Sequence, residues 1–183
     1  MSIKDPMNVF LVLLSNVRRT TERSVKIYTE LGELAEDPDV KASMEARAFV
    51  QTGSLAKIDE AFRLIDKKPL DLPGTIQDAF IEEFRTEFKS IESKPVRRIY
   101  ALAKAIRLAH FRIGEWVALV AAADFTRTGG VGVLLESCLA EDLAFAERTR
   151  RFLRKLAERR SQQRPQRRNL GDTARKRPRS PAS

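Results

Sequence analysis

Apolar residues recur along this chain at alternating steps of three and four, the spacing that keeps them on one face of a helix. The first run is Phe10, Leu14, Val17, Thr21, Ser24, Tyr28 and Leu31. It stops at Asp37-Pro38, where Asp37 suits an N-cap and Pro38 the first helical position of the next run. That second run is Val40, Met44, Arg47, Gln51, Leu55, Ile58, Phe62 and Ile65. KKPLDLPG (67–74) breaks the pattern, and Thr75 with Asp78 predicts the cap of a shorter helix ending near Ser93. A long helix from about Pro95 carries Ile99, Leu102, Ile106, Ala109, Ile113, Trp116 and Val120. TRTGG (126–130) is a turn, and the last stripe is Leu134, Cys138, Glu141, Phe145, Phe152 and Leu156.

These elements predict an all-α fold: an antiparallel four-helix bundle, with a short extra helix in the middle crossover. Near-heptad stripes suit helices packed about 20° from antiparallel. The first two and the last two long helices are joined by short links, so each pair forms a hairpin. The link of residues 67–94 is long enough to cross the bundle. Composition agrees, since Ala, Leu, Glu, Lys and Arg dominate and strand formers are scarce. The bundle is assigned to residues 1–158. The remainder, 159–183, has almost no apolar side chain to offset its ordering entropy and is expected to be disordered.

Charge changes the picture once it is located. The chain carries +9, but residues 1–158 account for +1 and residues 159–183 for +8. Arg159, Arg160, Arg164, Arg167, Arg168, Arg175, Lys176, Arg177 and Arg179 therefore form a candidate polyanion-binding tail. Such a tail would neutralise nucleic-acid phosphates without reading sequence. It has no aromatic residue for base stacking, which argues against selective single-strand binding. The one cysteine, Cys138, excludes an internal disulfide, and no apolar run reaches membrane-spanning length. A cytoplasmic protein with no membrane partner is expected. A second copy of the chain and, through the tail, a nucleic acid or other polyanion are the partners considered.

Polar residues interrupt the stripes at mid-helix: Thr21 and Ser24 in the first, Arg47 and Gln51 in the second, Glu141 in the last. His110 and Arg112 border the stripe of the third. Polar groups at one depth in a bundle often mark a metal site. Each is also explained by an arginine lying along an apolar face, or by a histidine hydrogen-bonded beside the core.

SIKDPMNVF, DPDVKASMEAR, AFRLIDKKP, AHFRIGEWVAL and LLESCLAED resemble segments of the YciE/YciF-type ferritin-like family, small stress-associated bacterial proteins. The resemblance covers about residues 2–158 and leaves the tail outside. It implies a ferritin-like bundle in which inward-facing carboxylates and histidines hold two metal ions. The same resemblance shows what this chain lacks. A family glutamate falls on Thr21, His-Leu-x-Glu-Thr reads Arg47-Ala48-Phe49-Val50-Gln51, and Glu-His-aromatic-Glu reads Ala109-His110-Phe111-Arg112. Only Glu141 keeps an acid near a ligand position.

Two divalent ions bring four positive charges, and Arg47 and Arg112 add two more, because arginine is effectively always charged. One carboxylate does not balance that. His110 is accordingly read as retained without a metal, and no metal or other cofactor is expected. The further expectation is that the lost ions are replaced by an ion pair. Arg47 or Arg112 would meet Glu141, with Thr21, Gln51 and His110 completing the network.

Other chemistry is poorly supported. One histidine and one cysteine cannot build a zinc site within one chain, and Cys138 on a core stripe reads as a small buried apolar residue rather than a nucleophile. TRTGGVG (126–132) follows a helix and lacks the Gly-Lys-Ser/Thr ending of a P-loop. The expected protein is a non-catalytic helical bundle acting as a scaffold or interaction module. Two alternatives stand beside it. One is a nucleic-acid-binding accessory protein using the tail. The other is a metal-binding protein with an altered site from Glu141, His110 and Glu22 or Glu45.

Overall fold

The computed structural model describes residues 3, 5–126 and 128–163. They form five helices: α1 (Pro6–Leu34), α2 (Pro38–Leu64), α3 (Thr75–Lys89), α4 (Lys94–Phe125) and α5 (Gly129–Gln163). The arrangement through residue 149 is an antiparallel four-helix bundle of α1, α2, α4 and α5, with α3 in the crossover. Residues 150–163 continue α5 as helix. The helix thus passes the boundary drawn at 158, and Arg159 and Arg160 lie on it. The tail positions Arg164, Arg167, Arg168, Arg175, Lys176, Arg177 and Arg179 lie outside the described residues, as does the disorder expected there.

Helix starts follow from side chains able to take up the free N–H groups of a first turn. The Asp5 carboxylate accepts the Asn8 amide at 2.8 Å, and that of Asp37 accepts the Val40 amide at 3.0 Å, each just before a proline. The cap expected from Thr75 is different. Gly74 occupies the N-cap of α3 with no side-chain bond, and Asp78 pairs with Arg23 of α1. Arg23 lies so close that a Cβ on Gly74 would stand 2.6 Å from its Nε. α3 also ends at Lys89, earlier than the expected Ser93, which instead is the N-cap residue of α4.

The core has a polar layer between apolar ends. Phe10, Leu14, Ile58, Phe62, Trp116, Leu119 and Leu135 fill one end. Further along the same helices, Ile27, Leu31, Val40, Met44 and Leu102 are fully buried. α1 and α2 pack tightly at Gly32, where a Cβ would lie 3.1 Å from that of Met44. α3 lays Phe80, Phe84 and Phe88 inward, and Phe88 meets Tyr100 edge-on with ring centroids 4.9 Å apart. Lys104 of α4 reaches back to Glu83 at 2.8 Å and Glu87 at 2.5 Å, fixing α3 over α4.

Candidate functional site

Asp142 of α5 is the centre of the buried polar layer. It is 1% exposed, and its two carboxylate oxygens receive donors from two other helices. On Oδ1 the Gln51 amide donates at 3.3 Å and the Arg47 guanidinium forms an ion pair, both from α2. On Oδ2 the donors are the Trp116 indole N–H at 2.7 Å and Arg112 Nε at 3.2 Å, both from α4. A carboxylate offers about four lone-pair directions, and three hydrogen-bond donors with the Arg47 ion pair surround this one. α1 closes the layer from the other side. Arg112 Nη2 donates to the Thr21 hydroxyl at 3.0 Å, and its Nη1 lies 3.4 Å from that of Ser24. Four helices meet in one network.

The helical repeat places these groups together. Thr21 and Ser24, three apart, share the inner face of α1, while Arg47 and Gln51, four apart, share that of α2. Arg112 and Trp116 do the same on α4. Their guanidiniums also use aromatic faces: Arg47 Cζ lies 4.9 Å from the Phe145 ring centroid and 5.6 Å from that of Tyr28. Arg112 Cζ lies 5.5 Å from the Trp116 ring. Guanidinium groups are weakly hydrated and stack on π-faces, which lowers the cost of burying them.

Burial acts on both arginines and on Tyr28. It pulls Arg112 down to about 10, against the opposing pull of Tyr28 and Glu115. It lowers Arg47 as well, with Tyr28 opposing, and raises the Tyr28 phenol, which the two arginines partly offset. Both guanidiniums remain cationic at neutral pH.

The network departs from the sequence expectation at two residues. Glu141 is not its acid. It lies at the edge of the layer, where it accepts Lys57 Nζ at 2.6 Å and the Ser54 hydroxyl at 3.1 Å, with its side chain one-third exposed. One residue further along a helix is 100° around it, which turns Asp142 inward and Glu141 aside. His110 is exposed on α4 and reaches neither Gln51 nor the acid. The other four expected residues, Thr21, Arg47, Gln51 and Arg112, do meet. Asp142, Trp116 and Ser24 join them, and the acid beside Glu141 was the available signal.

The altered metal site of Glu141, His110 and Glu22 or Glu45 does not assemble either. His110, Glu22 and Glu45 are all exposed, and among the described residues no three His, Cys, Asp or Glu side chains come together as ligands. Nor does the central layer fit a pair of divalent ions. Its single carboxylate is already held by three hydrogen bonds and two ion pairs, and two buried guanidiniums stand where further anionic ligands would be required.

Residues 5–164 match the family model described as a domain of unknown function, DUF892. The chain belongs to this family. Among solved structures, the DUF892 protein is similar to the Escherichia coli stress protein YciF. The TM-score is 0.80 at 19% identity, covering 85% of this chain and 99% of YciF. It is also similar to YcfI from Rhodopseudomonas palustris, with a TM-score of 0.77 at 19% identity over 81% of this chain and 95% of the other. At that identity the likeness speaks for the ferritin-like fold alone. No curated protein matches by sequence. Among the described residues no helix is long and apolar enough to cross a membrane.

Proposed function

We propose that this DUF892 protein is a non-catalytic helical bundle, a scaffold or interaction module whose degenerate metal site has become a structural ion network. The observation that carries the reading is the pair of fully buried guanidiniums on a single carboxylate, Arg47 and Arg112 on Asp142. Each ferritin-type metal role would require an anionic or neutral donor at those places. The description of YciF as a stress protein suggests a stress-associated setting, and that of YcfI as a structural protein suits a scaffold. The outward face of α4 offers a surface for such a role, since Val117 and Phe125 are 53% and 78% exposed. A second copy of the chain is the simplest occupant, to be tested by sedimentation equilibrium of Val117→Lys beside the parent.

Elemental analysis of protein purified with iron and manganese present tests the central claim, together with an iron(II) oxidation assay. Well under one metal per chain and no acceleration of oxidation are expected. Two tightly held ions per chain would overturn it.

A second reading rests on the charge of residues 159–183, +8 against +1 for the rest. In this reading the tail holds nucleic acid non-specifically. Affinity would fall steeply with salt and disappear on deletion of residues 159–183. Binding that survives the deletion would exclude it.

A further inference from the structure

The bundle unit ends at Thr149, and the charge of the chain divides at the same place. Residues 1–149 hold 21 basic and 23 acidic residues, a net of −2, whereas residues 150–183 hold 13 basic and 2 acidic ones, a net of +11. Part of that positive charge is carried on helix. Residues 150–163 continue α5, and Arg150, Arg151, Arg154, Lys155 and Arg159 are exposed there, with Glu158 the one acid among them.

Helical spacing sorts these cations into rows. Steps of four align Arg151, Lys155 and Arg159, about 12 Å from first to last at roughly 1.5 Å per residue. Arg150 and Arg154 form a second, shorter row. Like charges at this spacing repel, so an anion lying along both rows stabilises the helix that carries them.

The surroundings narrow the partner. Phe152 and Leu153 are half-buried and Leu156 is buried, so the exposed side of these turns has no large apolar residue to enter a lipid layer, as an interfacial helix requires. Of the 13 bases after Thr149, 11 are arginine, against 12 of the 21 before it. The planar guanidinium meets phosphate oxygens with two hydrogen bonds. No aromatic residue follows Phe152, which leaves base stacking out and the backbone as the feature to be held. A duplex presents about one phosphate charge per 1.7 Å, roughly seven along the longer row.

We propose that residues 150–159 of α5 are the helical part of a nucleic-acid surface, laid along the phosphate backbone of a duplex and continued by the basic residues beyond. The inference rests on the second reading above and adds to it a helix that the tail does not include.

The test is fluorescence anisotropy of labelled DNA and RNA duplexes of about 20 base pairs, from about 50 to 200 mM salt. Either duplex fits the proposal, and the tighter one identifies which nucleic acid supplies the phosphates. Binding by the full chain should fall steeply with salt. Arg154→Gln with Lys155→Gln should lower the log–log salt slope by about two, and the affinity at about 100 mM salt by at least about tenfold. Lys67→Gln with Lys68→Gln, the same loss of charge on exposed residues of the crossover, should change neither. An equal loss in both variants would mean that net charge alone matters, and would overturn the proposal. If the α5 variant binds like the parent while deletion of residues 159–183 abolishes binding, the tail acts alone: this inference fails and the second reading stands. No salt-sensitive binding by the full chain would sink both. Equal or tighter binding to polyglutamate or to phosphatidylserine vesicles at the same salt would overturn the assignment to nucleic acid.

Discussion

The indole N–H of Trp116 donates to Asp142 Oδ2 at 2.7 Å, with both side chains almost wholly shielded from water. The largest buried side chain of the core therefore has its one polar atom on the carboxylate that also holds Arg47 and Arg112. A hydrogen bond to a charged acceptor contributes about 1.5–3 kcal/mol net. Trp116→Phe should lose about that much and some packing besides, measured by urea denaturation. A loss below about 0.5 kcal/mol would mean that water or another donor replaces the indole.

Asp142 and Glu141 should respond very differently to loss of charge. Asp142→Asn leaves two guanidiniums buried against a neutral amide, and breaking a buried pair in this way costs about 3–5 kcal/mol. Glu141 is partly exposed and pairs with a lysine at the bundle edge, so Glu141→Gln should cost less than about 1 kcal/mol. Equal losses would show that the two acids share the load.

Removing the whole ionic set is another matter. Buried ion pairs often do no better than apolar residues of similar volume. Arg47→Met, Arg112→Met and Asp142→Leu combined should give a bundle at least as stable as the parent, while Asp142→Leu alone is strongly destabilised. Thermal melts of the single and triple variants read this directly. A triple variant clearly less stable than the parent would refute it.

Stability should also fall as pH rises through the window set by Glu115. Its folded pKa of about 7 lies above the ordinary carboxylate value of 4.5, so between them the folded chain holds more protons than the unfolded one. The contribution is most favourable below about pH 4.5, declines from there to about pH 7, and is flat above. Glu115→Gln removes that slope. Relative to the parent it should be near neutral at about pH 4 and more stable by about 1–3 kcal/mol at about pH 8, the side chain being partly exposed. A variant less stable than the parent at the higher pH would contradict the sign.

Much of this architecture was legible because periodicity and capping agree. The α1 stripe is buried from Phe10 to Leu31, and Asp37-Pro38 starts α2 as its chemistry requires. Polar interruptions pointed to the right depth. The acid was misassigned because the inner face of α5 runs through Leu135, Cys138, Asp142 and Phe145, whereas Leu134 and Glu141 fit almost as well by spacing alone. α4 was ambiguous in the same way, since Ile99, Ile106 and Ile113 are less buried than Ala105, Arg112 and Leu119. Small alanines inside and isoleucines at the margins invert what hydrophobicity suggests. Gln77 reaches the Thr20–Glu115 contact between α1 and α4 only by way of the crossover helix, which spacing within the long helices does not reveal.

The way Asp142 collects donors from two helices, while Arg112 reaches a third, bears on how the chain assembles. A hairpin of α1 with α2 carries Arg47 without its counter-charge, and a hairpin of α4 with α5 has Asp142 without its α2 donors. Neither half can dehydrate its centre at low cost until the other arrives in the correct axial alignment. Sliding one helix by a turn, about 5.4 Å, would set a guanidinium against apolar side chains. Partly formed and misaligned bundles are thus penalised while the aligned one is not, and the transition between unfolded and folded chain is sharpened toward all-or-none.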